Sequence, residues 1–104
     1  MNSKSKKYIY LYLDILKDFD IKVMEGVLVL LIWSFSKNEG YCYAGKKHLA
    51  KILNTTETTI HSLIKKLVNK GLLKKVGYSK YKTSCYSPSE EVISYLKKLR
   101  EVDL

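Results

Sequence analysis

KKHLAKILNTTETTIHSLIKKLVNKG, residues 46–71, carries two helical patterns back to back, joined by a few polar residues. In the first, Leu49, Ile52 and Leu53 recur at helical spacing, and Ala50 is small enough for close packing. In the second, Ile60, Leu63, Ile64 and Leu67 follow the i, i+3, i+4, i+7 rule of a half-buried helix. Between them lies Asn54-Thr55-Thr56. Asparagine tolerates the left-handed backbone that ends a helix, and a threonine before the next periodic run is a natural N-cap. Three residues beyond Thr56 stands Thr59, not Glu or Gln, so the reciprocal capping box is incomplete.

Outward from this stretch, Gly71 is placed to end the second helix, and residues 72–76 read as a strand. Gly77-Tyr78-Ser79-Lys80 is turn-rich and residues 81–86 read as a returning strand, so a hairpin over 72–87 carries Lys74, Lys75, Lys80 and Lys82 around its tip. Ser87-Pro88-Ser89-Glu90 has the form of a helix start, with Ser87 as cap, Pro88 in the first turn and Glu90 third. A final helix over 88–100 follows, with Val92, Ile93, Leu96 and Leu99 apolar. Towards the N-terminus, residues 37–40 form a loop, and Tyr41-Cys42-Tyr43 a very short strand. Residues 21–36 are apolar nearly all round, which predicts a helix buried on most sides, with Trp33 in the core or at a dimer contact. Residues 6–18 alternate like a strand, yet Ile9, Tyr12, Leu13 and Leu16 also line a helical stripe; the pattern's continuation to Lys17 favours helix. Asp18 and Asp20 mark the turn into the next helix, and residues 1–5 are expected to be loose. With no linker, repeat or low-complexity tract, residues 1–104 read as a single domain, α+β but mostly α.

The pattern Leu49-Ala50-x-x-Leu53-Asn54-x-Thr56-x-x-Thr59-Ile60, followed by Gly71-Leu72-Leu73, resembles a winged helix-turn-helix. That resemblance implies three to four helices, a short first strand, a two-stranded wing and a C-terminal helix. An ordinary helical hairpin would share the apolar spacing.

Charge sharpens the functional reading. The net charge is +9. Residues 40–89 hold ten lysines and one acid, Glu57, whereas the remainder has nine basic and nine acidic residues. The whole excess therefore sits on the helix-turn-helix and the hairpin, and a concentrated positive field favours a polyanion through counterion release. A merely lysine-biased surface would explain many lysines, but not the loss of acids from this half alone. The longest apolar run, residues 27–33, is far too short to span a bilayer, and no signal-peptide pattern is present, so a cytoplasmic chain with reduced Cys42 and Cys85 is expected, with no membrane partner.

With the second helix against DNA, its outward residues would be Glu57, Thr58, His61, Ser62 and Lys65, near the helix N-terminus where docked helix-turn-helix domains reach base edges. Thr58 and Ser62 suit phosphate or bases, and His61 is either a base reader or a solvated surface histidine. Glu57 can accept from a cytosine amino group or favour the helix dipole, the second being the simpler role. Thr56 and Thr59 complete the tip. Lys46, Lys47, Lys66 and the wing residues Tyr78, Ser79, Lys80 and Lys82 are candidates for the backbone. Residues 1–99 contain no arginine, so bidentate Arg–guanine contacts are missing from the reading head; this points to repeated sites or DNA shape, and to a dimer or multimer.

No enzyme is indicated. His48 and His61 have no HExxH or paired-carboxylate context, the five glycines make no phosphate loop, and a metal site from Cys42, His48, His61 and Cys85 lacks zinc-like spacing. No cofactor or metal is expected.

Within winged domains the chain is similar to the TubR-type centromere-binding proteins of tubulin-based (type III) plasmid and phage partition systems. The likeness rests on the apolar helix before the 38–40 turn, residues 47–53, 56–68 and 71–73, the Gly77-Tyr78-Ser79-Lys80-Tyr81 wing and the capped last helix. It implies a homodimer with recognition helices side by side on double-stranded DNA repeats, coupled to a tubulin-like GTPase and repressing its own operon. A repressor or replication initiator of a mobile element, and a winged module that binds only an acidic protein, are the alternatives.

Overall fold

The computed structural model describes residues 13–36, 45–78 and 84–103. The order is α1 (Asp14–Asp18), α2 (Val23–Ser36), α3 (Lys46–Ile52), α4 (Glu57–Asn69), β1 (Leu73–Tyr78), β2 (Ser84–Pro88) and α5 (Glu90–Asp103). Among the described residues there are thus five helical segments, α1 being little more than one turn, and one antiparallel two-stranded sheet. The expected loop over 37–40, the strand Tyr41-Cys42-Tyr43, the loose residues 1–5 and Ile9 and Tyr12 of the proposed first stripe lie outside the described residues.

The core is one cluster. Ile15, Leu28, Val29, Ile32, Leu49, Ile60, Leu67 and Val92 are almost wholly withdrawn from solvent, and Trp33, Phe35, Leu63 and Tyr86 pack half-buried around them. α2 runs through its middle, as an all-round apolar helix must; only its ends emerge, at Val23, Met24 and Ser34. α1 corrects the stripe read from the sequence. Ile15 is its buried residue, while Leu13 flanks the helix N-terminus and is 67% exposed. Leu16 of the expected stripe does pack half-buried against the core, and the Ile21 amide bonds to its carbonyl to close the helix end.

Three helix ends are made the same way. After α1, α3 and α4 the chain turns left-handed at Asp20 (φ 54°), Asn54 (φ 54°) and Gly71 (φ 78°). In each case the next residue's amide reaches back five residues: Ile21 to Leu16 (2.9 Å), Thr55 to Ala50 (2.9 Å), Leu72 to Leu67 (2.9 Å). These are Schellman caps, which satisfy carbonyls the helix would otherwise orphan. Asn54 sits at the position expected of it, and Gly71 one residue past the Lys70 C-cap. The entry to α2 is capped by a buried acid: Glu25, 3% exposed, accepts the Lys22 amide at 2.8 Å, and its second oxygen has no hydrogen-bond partner among the described residues.

The hairpin differs from its expected limits. Gly77 and Tyr78 belong to β1, pairing with Cys85 and Ser84, and the shift of register between Lys75 and Gly77 leaves Val76 as a bulge. Gly77 takes φ 131°, which a side chain would resist, and this lets the strand recover pairing after the bulge. Helix α5 starts two residues later than expected. Ser89, not Ser87, caps it, accepting the Val92 amide at 3.4 Å, while the Ser89 amide donates to the Leu72 carbonyl at 2.9 Å. Pro88 ends β2 opposite Leu73, where its missing N–H costs nothing, and Ser87 is buried with its hydroxyl donating to the Pro88 carbonyl at 3.1 Å.

α5 is tied back to α1 by Tyr95, whose hydroxyl donates to Asp18 Oδ2 at 2.5 Å and whose ring meets Phe19 edge-on at 5.0 Å. Burial of the phenol, its bond to Asp18 and the nearby charges of Asp18 and Asp14 push its pKa far above the ordinary 10.0. The folded value is the higher one. The contact therefore stabilises fully below about pH 10 and is lost as pH rises beyond it. Urea unfolding of wild type and Tyr95→Phe is expected to show a stability difference that is constant near neutrality and shrinks above about pH 10. Lysine titration affects both proteins alike and cancels, so an unchanged difference at high pH would speak against this account.

Candidate nucleic-acid interface

α4 is the element on which the site is built. Thr56 takes an extended backbone and its Oγ1 accepts the Thr59 amide at 3.1 Å, fixing where the helix starts. Such a cap is worth about 1 kcal/mol. The Thr59 hydroxyl stands 2.9 Å from the Thr56 hydroxyl, a side-chain contact that does not replace the bond a capping-box Glu would make to the Thr56 amide. Both hydroxyls are therefore engaged at the helix start, with Thr56 exposed and Thr59 half-buried. Ile60, Ile64 and Leu67 go into the core. The face left outside carries Glu57, Thr58, His61, Ser62, Lys65 and Lys66, all exposed. Glu57 is in the first turn, where the helix dipole favours it.

α3 packs beside α4 and begins at Gly45 without a side-chain cap. Lys47 and His48 are exposed, the His48 ring lying edge-on to Phe35 at 6.1 Å. Lys46 is half-buried, its amine over the ring of Tyr86 at 5.5 Å from the centroid. β1 adds the exposed Lys74 and Lys75. Between α4 and the sheet runs a groove lined by His61, Ile64, Lys65, Val68, Asn69, Lys75 and Tyr86.

Of the residues singled out in the sequence, the structure gathers His61 and Lys65 into this groove, and sets Thr58, Ser62 and Lys66 on the same exposed helix. Tyr78 lies on β1, and Ser79, Lys80 and Lys82 lie outside the described residues. Lys75, Asn69 and Tyr86 were missed as groove residues. Which β1 residue faces Tyr86 is decided by the register of the two strands, Leu73 opposite Pro88 and Lys75 opposite Tyr86, and nothing in the local sequence announces it. Not every lysine serves this surface. Lys70 donates to the Asp20 carbonyl at 2.6 Å, binding the end of α4 to the α1–α2 turn.

From residue 45 to 78 the only acid is Glu57, against eight lysines. A second cleft, between α1 and α5, is lined by Asp18, Phe19, Glu91, Ser94, Tyr95 and Lys98. Among the described residues no group of three or more His, Cys, Asp or Glu could hold a metal ion, and no helix is long and apolar enough to cross a membrane. Cys85 is buried in β2.

Comparison with known proteins agrees with this geometry. No curated protein matches the sequence. Among solved structures, the S. aureus MepR–DNA complex is similar, with a TM-score of 0.67 at 17% identity over 86% of this chain and 61% of the other. The present chain thus spans about three-fifths of that protein, and at this identity the likeness is one of fold: a mostly helical domain with a two-stranded wing. A family model described as a helix-turn-helix domain matches residues 20–73, the segment from the α1–α2 turn through α4 to the first residue of the wing. The chain belongs to this helix-turn-helix domain family, in the winged form.

Proposed function

We propose that the protein binds double-stranded DNA, laying α4 in the major groove and the wing along the backbone. The observation that carries this reading is the outer face of α4. Ser62 and Lys65 are exposed beside His61 and Lys66 on a surface with one acid, while the apolar residues of the same helix hold it to the core. That the structurally similar MepR was crystallised with DNA supports the same use of the fold. Thr58, His61 and Ser62 are assigned to base edges, Lys46, Lys47, Lys65 and Lys66 to phosphates, Thr56 and Thr59 to setting the helix start, Glu57 to the helix dipole, and Tyr78, Ser79, Lys80 and Lys82 to the wing contact. Residues 1–104 act as one domain in the cytoplasm, without catalysis.

Binding as a dimer on repeated sites is part of the proposal. It is supported by exposed apolar residues on α2 and before α1, Val23 being 58% and Leu13 67% exposed, and by the lack of arginine among residues 1–99. A monomer without bidentate guanine contacts gains selectivity by avidity. Coupling of such repeats to a tubulin-like GTPase, as the TubR-type resemblance implies, is the favoured role; repression or replication initiation at a mobile element uses the same surface.

Fluorescence anisotropy with a labelled duplex tests the core of this reading. Affinity is expected to fall steeply between about 50 and 200 mM salt. The protein is expected to bind tandem sites far better than a single one. An absence of binding at low salt would end the DNA reading and leave the protein-interaction module, and tight binding of one monomer to one isolated site would end the dimer.

A further inference from the structure

Tyr86 does not belong to the helix-turn-helix, yet three basic elements meet at its ring. Lys46, the first residue of α3, has its amine 5.5 Å above the ring centroid. Lys75 faces Tyr86 across the sheet in register. His61 and Lys65 of α4 line the same groove as the ring. Ammonium groups drawn together repel one another, and an unrestrained lysine would swing away into water. The negative face of an aromatic ring opposes this, because it attracts a cation without neutralising it. Lys46 is accordingly half-buried, whereas its neighbour Lys47 is exposed.

Building on the DNA-binding reading above, we propose that Tyr86 is a positioning residue: its ring holds the Lys46 amine, still charged, beside the α4–wing groove so that α3 contributes one backbone phosphate contact. The ring works through its face, not through its hydroxyl. Two consequences separate this role from simple packing. Loss of the ring must remove the contact made by a lysine on another element, and removal of that lysine must leave the ring with nothing more to give.

The test uses Tyr86→Phe, Tyr86→Leu, Lys46→Ala and the double variant Tyr86→Leu/Lys46→Ala, with a labelled duplex titrated at several salt concentrations. Tyr86→Phe is expected to keep the wild-type slope of log K against log salt. Tyr86→Leu and Lys46→Ala are each expected to flatten it by about 0.9, one phosphate's worth, and the double variant by no more than Lys46→Ala alone. A variant that only folds less well loses affinity at every salt concentration but keeps its slope. A wild-type slope for Tyr86→Leu, two increments in the double variant, or a flattened slope for Tyr86→Phe would each overturn the assignment. In the free protein, the side-chain methylene protons of Lys46 should be shifted upfield in wild type and Tyr86→Phe but not in Tyr86→Leu. Absence of that ring-current shift in wild type overturns the platform without touching the DNA reading. No salt-dependent binding by wild type defeats the DNA reading itself.

Discussion

Replacing Ile60 with alanine is expected to destabilise the fold by about 3 kcal/mol and lower the melting temperature by about 15 °C. Ile60 is 0% exposed, one turn into α4, in the one core that also holds Ile64 and Leu67. Truncation removes the transfer energy of three carbons and leaves a cavity that neighbours on α2 and α3 can only partly fill. A domain of this size has a total stability of roughly 5–15 kcal/mol, so a large share would go in one step. Thr58→Ala, two positions earlier and exposed, should change stability by less than about 0.5 kcal/mol. Thermal unfolding followed by circular dichroism checks both. A drop of only a few degrees for Ile60→Ala would mean that α4 is held by something other than this face, and the division of the helix into inward and outward residues would have to be redrawn.

That division was legible in the sequence because periodicity and turn chemistry agreed. Ile60, Ile64 and Leu67 are buried as the 3.6-residue repeat requires, Leu63 at its margin is half-buried, and Asn54, Thr56 and Gly71 make the turn, cap and stop their side chains suit. The start of α5 was not legible for the opposite reason. Ser87 and Ser89 both fit a helix start, and the choice falls to Ser89 because its amide continues the pairing to the Leu72 carbonyl, a contact between residues far apart in the chain. The same holds for the groove. Lys75 and Tyr86 meet as partners across the sheet, and the Lys46 amine of α3 lies over the Tyr86 ring on β2, contacts made between separate elements. Glu25 shows a further limit. Its burial follows from tertiary packing around the α2 start, where an acid three residues after Lys22 reaches back to that residue's amide, although no Ser, Thr, Asp or Asn stood there to suggest a cap. Elements could be read where the signal is local, whereas the surfaces assembled from several elements could not.

The largest functional effect is expected from Lys47→Ala/Lys65→Ala/Lys66→Ala. All three side chains are exposed, on α3 and α4, and none is needed to fill the core. Each phosphate contact contributes a slope of about 0.9 in log K against log salt, which amounts to about eightfold in affinity per lysine at roughly 0.1 M relative to 1 M. Three independent contacts together give about 500-fold, while the melting temperature should stay within a few degrees of wild type because surface changes of this kind are nearly neutral. The measured slope must flatten by about 2.7 at the same time. Affinity and slope have to move together if counterion release is the cause: a 500-fold loss at unchanged slope would point to a distorted α4, and a flattened slope with little loss at 0.1 M would place the three amines near the DNA but not on it. Lys70→Ala is the internal control. Its amine is directed to the Asp20 carbonyl, so it should cost a little stability and leave the salt slope unchanged. Were the four lysines equivalent in the slope, the positive charge would act as a diffuse field, and the geometry of α4 would have no privileged part in holding the duplex.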